Sequence, residues 1–80
     1  MNLFKFQTRN GGTEYEFGED IDQAKDIFGD AAVGEPVDMG KATKVLIEKV
    51  YPFHKDDKDH LDVLLCAHPE SYDFIKDLYK

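Results

Sequence analysis

Residues 3–17 constrain the fold more than any other part of the 80-residue chain. Two runs of alternating apolar and polar side chains, residues 3–8 and 13–17, flank the sequence Arg9-Asn10-Gly11-Gly12. An Asn-Gly pair between two alternating runs is the strongest short-range hairpin signal, because a type I′ turn needs positive φ at both central residues. The sequence therefore predicts a β-hairpin whose turn is Asn10-Gly11.

The position of this turn also predicts which residues face each other. Side chains alternate between the two faces of a strand, so the turn determines the composition of both faces at once. One face would carry the cross-strand pairs Phe6 with Tyr15 and Phe4 with Phe17, and the other would carry Lys5 with Glu16 and Gln7 with Glu14. This pattern is typical of a hairpin with one apolar face and one face in water.

An amphipathic segment follows from Asp20 onward. Asp20 can cap a helix N-terminus, with Gln23 in the capping-box position three residues later. A glycine at position 29 or 34 can end the helix. The main helix is predicted at residues 20–28, and a further turn to about residue 33 stays open. Its apolar stripe, which would pack on the sheet, consists of Ile21, Ala24, Ile27, Phe28 and Ala31.

The most apolar run of the sequence, residues 60–68, stops at Pro69. Because both faces of a strand would be apolar from Val63 to Cys66, the run predicts a central strand, although a buried helical turn would look similar. Proline suits the first position of a helix, so a C-terminal helix is predicted at residues 69–79. Its packing face would be Tyr72, Phe74, Ile75, Leu78 and Tyr79.

Three segments connect these elements. Residues 34–40 predict a loop by their Gly and Pro content. Residues 43–51 predict a strand because they are rich in β-branched side chains, with a helix as the rival interpretation. Pro52 and the charged run that follows it, residues 54–60, predict a longer hairpin loop.

The predicted order is β-β-α-β-β-α in a single domain of residues 1–80. Two hairpins, each followed by an amphipathic helix, predict an α+β fold: a ββαββα two-layer sandwich with a four-stranded, mainly antiparallel sheet and both helices on one face. One cysteine excludes an internal disulfide, and its apolar surroundings predict that Cys66 is a small buried hydrophobe. The absence of signal-peptide features and of a long apolar stretch predicts a cytoplasmic protein.

Composition and motifs argue against several classes of function. A net charge of −7 disfavours direct binding to nucleic acid or an anionic membrane, which both need clustered Lys and Arg. Cys66 and His68 would lie about 7 Å apart on one strand face, too far for a nucleophile and its base. His54 and His60, with aspartates between them, are metal-ligand candidates that are more typical of a solvated turn. The prediction is a non-catalytic protein without a cofactor or metal.

The negative charge is concentrated in residues 19–40, where seven acidic residues stand against Lys25 and give a net charge of −6. Asp22, Asp26 and Asp30 recur at i, i+4 and i+8, with Glu19 one turn earlier. A helix would align these four residues, the acidic ridge, on one exposed face with neighbours about 6 Å apart. Like charges at this spacing and Asp in a helix interior both disfavour the helix. The dipole at the helix N-terminus favours Glu19, Asp20 and Asp22, but not Asp26 and Asp30.

A ridge of this kind predicts docking on a basic protein surface, such as the nucleic-acid groove of an enzyme. The protein would then be an inhibitor or antagonist, as in antitoxin, immunity or phage anti-host proteins. The candidate partner-binding residues are Glu19, Asp22, Asp26, Asp30, Glu35 and Asp38.

Two other interpretations of the surface remain open. The acidic face can simply keep a small protein soluble. The chain can instead be a structural or assembly module that forms a homodimer or oligomer through a sheet edge or through surplus aromatic residues. The aromatic candidates are Tyr51, Phe53, Tyr72, Phe74 and Tyr79.

Overall fold

A computed structural model of the chain describes residues 1–51 and 60–80. In chain order these contain β1 (Asn2–Gln7), β2 (Thr13–Gly18), α1 (Ile21–Phe28), β3 (Val37–Lys41), α2 (Lys44–Val50), α3 (His60–Ala67), a 3-10 turn (Pro69–Ser71) and α4 (Tyr72–Leu78). Two compact units, Met1–Ala42 and Thr43–Lys80, divide the chain between the sheet with α1 and the remaining helices.

The α+β class and the antiparallel sheet are confirmed. Within the described residues, however, the sheet has three strands in the order β2-β1-β3 and there are four α-helices, so the predicted four-stranded sheet with two helices does not match. The two strands predicted for the second half are wrong, because both segments are helical. The prediction of a single domain stays a prediction.

The hairpin forms where it was predicted, with a different turn. Thr8 N–H donates to Gly12 O and Gly11 N–H donates to Thr8 O, each at 3.0 Å, which closes a loop of three residues. Gly11 has a φ of +85°, and none of the described non-glycine residues has a positive φ, which excludes a type I′ turn at Asn10-Gly11. A three-residue loop of this type needs a positive φ only at its last residue, which here is Gly11.

The longer loop shifts every cross-strand pair by one position. Phe4 faces Glu16 and Leu3 faces Phe17, and all four residues are buried. The predicted division into one apolar face and one wet face is therefore wrong, since buried side chains lie on both faces. The carboxylate of buried Glu16 accepts a hydrogen bond from Phe17 N–H at 3.1 Å, as a buried polar group requires.

The helix α1 packs on the sheet face that carries Phe4 and Phe6. Asp20 caps it by accepting from Gln23 N–H at 2.8 Å, and Gly29 is its C-cap, so the helix predicted at residues 20–28 is confirmed. The further turn to residue 33 does not form. The apolar cluster between helix and sheet contains Phe4, Phe6 and Ala24, with Ile21, Phe28 and Ala32 packed against it; Ala31, predicted for the stripe, is exposed.

The strand β3 lies in the segment predicted as a loop. It pairs antiparallel with β1, and the register shifts between Asn2 and Phe4. Asn2 Nδ2 donates to both carboxylate oxygens of Asp38 at 3.1 Å, and Gly40 N–H donates to Asp38 Oδ1 at 2.8 Å. This segment forms a strand through its pairing with β1, more than thirty residues earlier in the chain, because its own alternation of Val37 and Met39 with polar residues is too short to predict one.

The Thr43–Lys80 unit is helical in its described residues. The rival interpretation of residues 43–51 is the correct one: Thr43 Oγ1 accepts from Leu46 N–H at 3.2 Å and caps α2. The apolar run predicted as a strand is α3, and the helix predicted at residues 69–79 is confirmed as the 3-10 turn followed by α4. Each of the three α-helices buries one aliphatic side chain completely: Ile47, Leu64 and Ile75.

Candidate partner-binding surface

The acidic ridge is only partly helical. Asp22 and Asp26 lie one turn apart on α1, and both are exposed. Glu19 precedes the capping residue, while Asp30 follows Gly29 and so lies beyond the end of the helix. Both flanking acids are exposed as well. The helix therefore aligns two members of the ridge, and the chain on either side supplies the other two.

Three of the six candidate residues have partners within the Met1–Ala42 unit. Lys25 Nζ lies 2.8 Å and 3.1 Å from the two carboxylate oxygens of Glu35. Asp38 is held by Asn2 and Gly40, and Glu19 Oε2 lies 3.4 Å from the N-terminal amine. These residues tie the loop after α1 and the strand β3 to their surroundings.

The hydrogen bond that Lys25 donates to Glu35 raises the pKa of Lys25 above its ordinary value, although desolvation opposes the shift. The negative charges of Glu35 and Asp22 raise it further. Lys25 is thus firmly protonated at neutral pH and directed to Glu35, outside the ridge. Among residues 1–51 and 60–80, Asp22, Asp26 and Asp30 have no hydrogen-bonded or ion-paired partner.

A polar pair in the second unit, of the half-buried Tyr51 and the buried His68, was missed by sequence reasoning. Tyr51 Oη lies 2.7 Å from His68 Nε2, and the two rings meet edge to face with centroids 5.7 Å apart. His68, predicted as a strand end, is only 2% exposed. Interpreting residues 60–68 as a helix would have predicted the burial of His68, because His68 follows Leu64 by four residues and so lies on the same side of a helix. The pair links the C-terminal ends of α2 and α3.

Cys66 is exposed, so the prediction of a buried small hydrophobe is wrong. In a helix it lies two residues from Leu64, which places it on a different side from that buried residue. The histidine loop proposed as a metal candidate lies outside the described side chains. In the part of the chain that the structure describes, no group of three His, Cys, Asp or Glu residues can hold a metal ion.

Tyr79 is the C-cap residue of α4. The pKa of its phenol is raised, chiefly because of burial and further because of the negative charge of Glu48. The ammonium group of Lys44 lies 5.2 Å from the centre of its ring. A pKa that is higher in the folded than in the unfolded chain means that the folded state holds the proton more tightly. The resulting stabilisation is complete below the unfolded pKa and disappears as the pH rises through the folded pKa.

We therefore expect the urea midpoint to fall more steeply above about pH 10 for the wild type than for Tyr79→Phe, because phenylalanine cannot ionise. Equilibrium unfolding followed by circular dichroism at pH 8 and at alkaline pH measures the difference. Absorbance of tyrosinate in the same samples identifies the ionisation that the variant lacks. Identical pH profiles for the two proteins would contradict the prediction.

Among the described residues, no helix is long and apolar enough to cross a membrane. Comparison with known proteins found no matching family model, no similar curated protein and no similar solved structure. The acidic ridge is the candidate site with the clearest chemical character. Its carboxylates are exposed and belong to a segment of net charge −6, and Lys25 of that segment bonds to Glu35, outside the ridge.

Proposed function

We propose that this chain is a small, non-catalytic interaction protein whose acidic ridge docks on a basic surface of a partner protein. One observation carries the proposal. Asp22, Asp26 and Asp30 are exposed and have no hydrogen-bonded or ion-paired base among the described residues; Lys25, on which the charge of Asp22 also acts, bonds to Glu35 instead. Asp22 lies in the first turn of α1, where the helix dipole favours an acid, but Asp26 lies near the C-terminal end, where it does not, so the stability of the helix gives no reason to keep Asp26.

The proposed partner is a protein with a concave basic surface, in particular one that binds nucleic acid. Asp22 and Asp26 lie one turn apart on α1, and Cβ atoms at this spacing on a helix are about 6 Å apart, similar to the spacing of phosphates along a nucleic-acid backbone. A ridge of this kind competes for the positive groove of such a protein and accelerates association through long-range attraction. The chain would act as an inhibitor or antagonist, in the manner of antitoxin, immunity or phage anti-host proteins.

The test compares the wild type with the triple variant Asp22→Asn/Asp26→Asn/Asp30→Asn. Partners captured from native lysate at low salt are identified and their affinities measured at several salt concentrations. We expect the triple variant to bind at least about tenfold more weakly, or roughly 1.4 kcal/mol, with a flatter salt dependence.

A matched control removes three exposed acids elsewhere: Glu14→Gln/Glu48→Gln/Asp77→Asn. This variant has the same net charge as the first and should retain most of the affinity. Equal losses of affinity for the two triple variants would show that net charge alone, and not the position of the ridge, accounts for the binding. Unchanged binding by the ridge variant, at low and high salt, would leave solubility as the function of the ridge.

A second candidate function is assembly through the sheet. Strands β2 and β3 are the outer strands of the three-stranded sheet, and Val37 of β3 is 56% exposed. Outer strands present backbone groups on which a further strand can pair. Sedimentation at micromolar concentration separates the two candidates, because a stable dimer or oligomer favours assembly and a monomer favours the acidic ridge.

A further inference from the structure

The loop of the β1–β2 hairpin contains the one asparagine of the chain that precedes a glycine. Asn10 and Gly11 are both exposed, whereas the other asparagine, Asn2, precedes Leu3. Asparagine before glycine is prone to lose its side-chain amide, because glycine has no Cβ atom to hinder attack by its backbone nitrogen. A Cβ atom built on Gly11 would meet no atom within 4 Å, so the loop leaves the space beside this residue open.

The reaction at this position needs water as its only co-reactant. The backbone nitrogen of Gly11 bonds to Cγ of Asn10 while the Cγ–Nδ2 bond breaks, and the proton from Gly11 leaves with the side-chain nitrogen as ammonia. Water then opens the five-membered imide at one of its two carbonyl carbons. Opening at Cγ gives aspartate with the original backbone. Opening at the main-chain carbonyl gives isoaspartate, whose backbone runs through Cβ and Cγ.

Hydrogen bonds of the loop engage both reacting groups. The N–H of Gly11, whose nitrogen is the nucleophile, donates to Thr8 O at 3.0 Å. Asn10 Oδ1 accepts from Gly12 N–H at 3.0 Å and from the Thr8 hydroxyl, and Thr8 Oγ1 also accepts from Gly12 N–H at 3.0 Å. An asparagine side chain bonded to the backbone two residues later holds a turn closed. The closed loop therefore directs the amide of Asn10 to Thr8 and Gly12, and the nitrogen of Gly11 keeps its proton.

We propose that Asn10 is a site of spontaneous deamidation whose rate is set by opening of the hairpin loop, with the Thr8 hydroxyl as the positioning group that keeps the loop closed. A reaction that requires an open form proceeds in proportion to the population of that form. Aspartate at position 10 retains an oxygen for Gly12 N–H, whereas isoaspartate lengthens the loop by one backbone carbon. The loop contains no residue of the acidic ridge, so the two proposals are tested separately.

The test follows deamidation of the full-length protein at neutral pH by mass spectrometry, with peptide mapping to assign the converted residue. The wild type is incubated in its folded state and, in guanidinium chloride, in its unfolded state. We expect Asn10 to convert at least about tenfold more slowly in the folded protein, because the reaction there requires local opening. Asn2 is the internal reference in the same samples, since the side chain of Leu3 hinders the corresponding attack.

Variants at position 8 identify the group that protects Asn10. Thr8→Val removes the hydroxyl but keeps a β-branched side chain, and it should raise the folded-state rate about threefold to tenfold. Thr8→Ser retains the hydroxyl and should keep the wild-type rate. Thr13→Val is the matched control, because the Thr13 hydroxyl, on the other strand of the hairpin, lies 3.5 Å from Gln7 Oε1. Circular dichroism checks folding, and the folded and unfolded wild type carry the test if Thr8→Val is not folded.

The two products test the consequence for the fold. Asn10→Asp is the reference for the aspartate form and should have the urea midpoint of the wild type. The isoaspartate form, separated by chromatography, should unfold at a lower urea concentration, because loop length determines the register of the hairpin. Equal deamidation rates in the folded and unfolded wild type would overturn the proposal, and so would a folded Thr8→Val that reacts at the wild-type rate.

Discussion

Replacing Phe6 with alanine is expected to remove about 3–5 kcal/mol of folding free energy, which leaves little of the stability available to so small a chain. Phe6 is 1% exposed and stacks on Phe28, with ring centroids 4.3 Å apart and an interplanar angle of 17°. Its removal would leave a cavity between α1 and the sheet, where Phe4 and Ala24 complete the cluster. Urea unfolding followed by circular dichroism measures the change.

Two further variants separate burial from ring stacking. Phe6→Leu keeps most of the apolar volume and loses the contact between rings, so it should cost about 1–2 kcal/mol. Val33→Ala, at a residue that is 53% exposed, should change stability by no more than about 0.5 kcal/mol. A cooperative transition for Phe6→Ala at the wild-type midpoint would show that this cluster does not hold the unit together.

Replacing Gly18 with alanine is expected to destabilise the fold by about 1–3 kcal/mol through crowding. A Cβ atom at this position would lie 2.9 Å from Ala24 N, 2.9 Å from Asp20 O and 3.0 Å from Ala24 Cβ. Two of these atoms belong to the backbone of the first turn of α1 and its cap, so no side-chain rotation can relieve the contact. The start of the helix would have to move away from β2.

Urea unfolding again measures the loss, and the amide chemical shifts of α1 report the displacement. Gly12→Ala is the matched control before the other end of β2, because its Cβ would meet only the side-chain oxygens of Asn10 and Thr8, at 3.1 Å. These can rotate aside, so the control should cost less than about 1 kcal/mol. Equal losses for the two variants, with α1 shifts unchanged, would refute the close approach at Gly18.

Sequence reasoning succeeded where short-range signals decide the structure. The ends of α1 follow from Asp20 with Gln23 at one end and Gly29 at the other, all within a few residues of one another. The hairpin was located for the same reason. Its register was not, because Asn10, Gly11 and Gly12 permit a loop of two or of three residues and the choice depends on packing.

The second half was mispredicted because its apolar pattern has no clear period. The run in α3 has apolar residues on every side, which is equally compatible with a buried strand and with a helix. The burial of Leu64 and His68 with the exposure of Cys66 between them distinguishes the two, because residues 64, 66 and 68 would share one face of a strand. The strand β3 has only a weak local signal, the short alternation of Val37, Asp38 and Met39, and it forms through its pairing with β1.

Prediction of the candidate surface from the sequence was limited in the same way. Composition located the acidic segment, but it does not show which carboxylates have partners within the chain. That depends on the path of the chain after Gly29. That path brings Glu35 to Lys25 and leaves Asp22 and Asp26 without a hydrogen-bonded or ion-paired base among the described residues, which the linear sequence does not reveal. The pair of Tyr51 and His68 joins residues seventeen apart, which no local pattern of the sequence indicates.

The hairpin loop has a consequence for how this chain tolerates insertions and deletions. Deleting one residue at Gly11-Gly12, while keeping a three-residue loop, would slide β2 by one position and bring Tyr15 opposite Phe6 and Phe17 opposite Phe4. The burial of Glu16 and its bond to Phe17 N–H would be lost in the same step. Most surface loops accept a change in length; here loop length determines which side of the sheet each aromatic residue occupies.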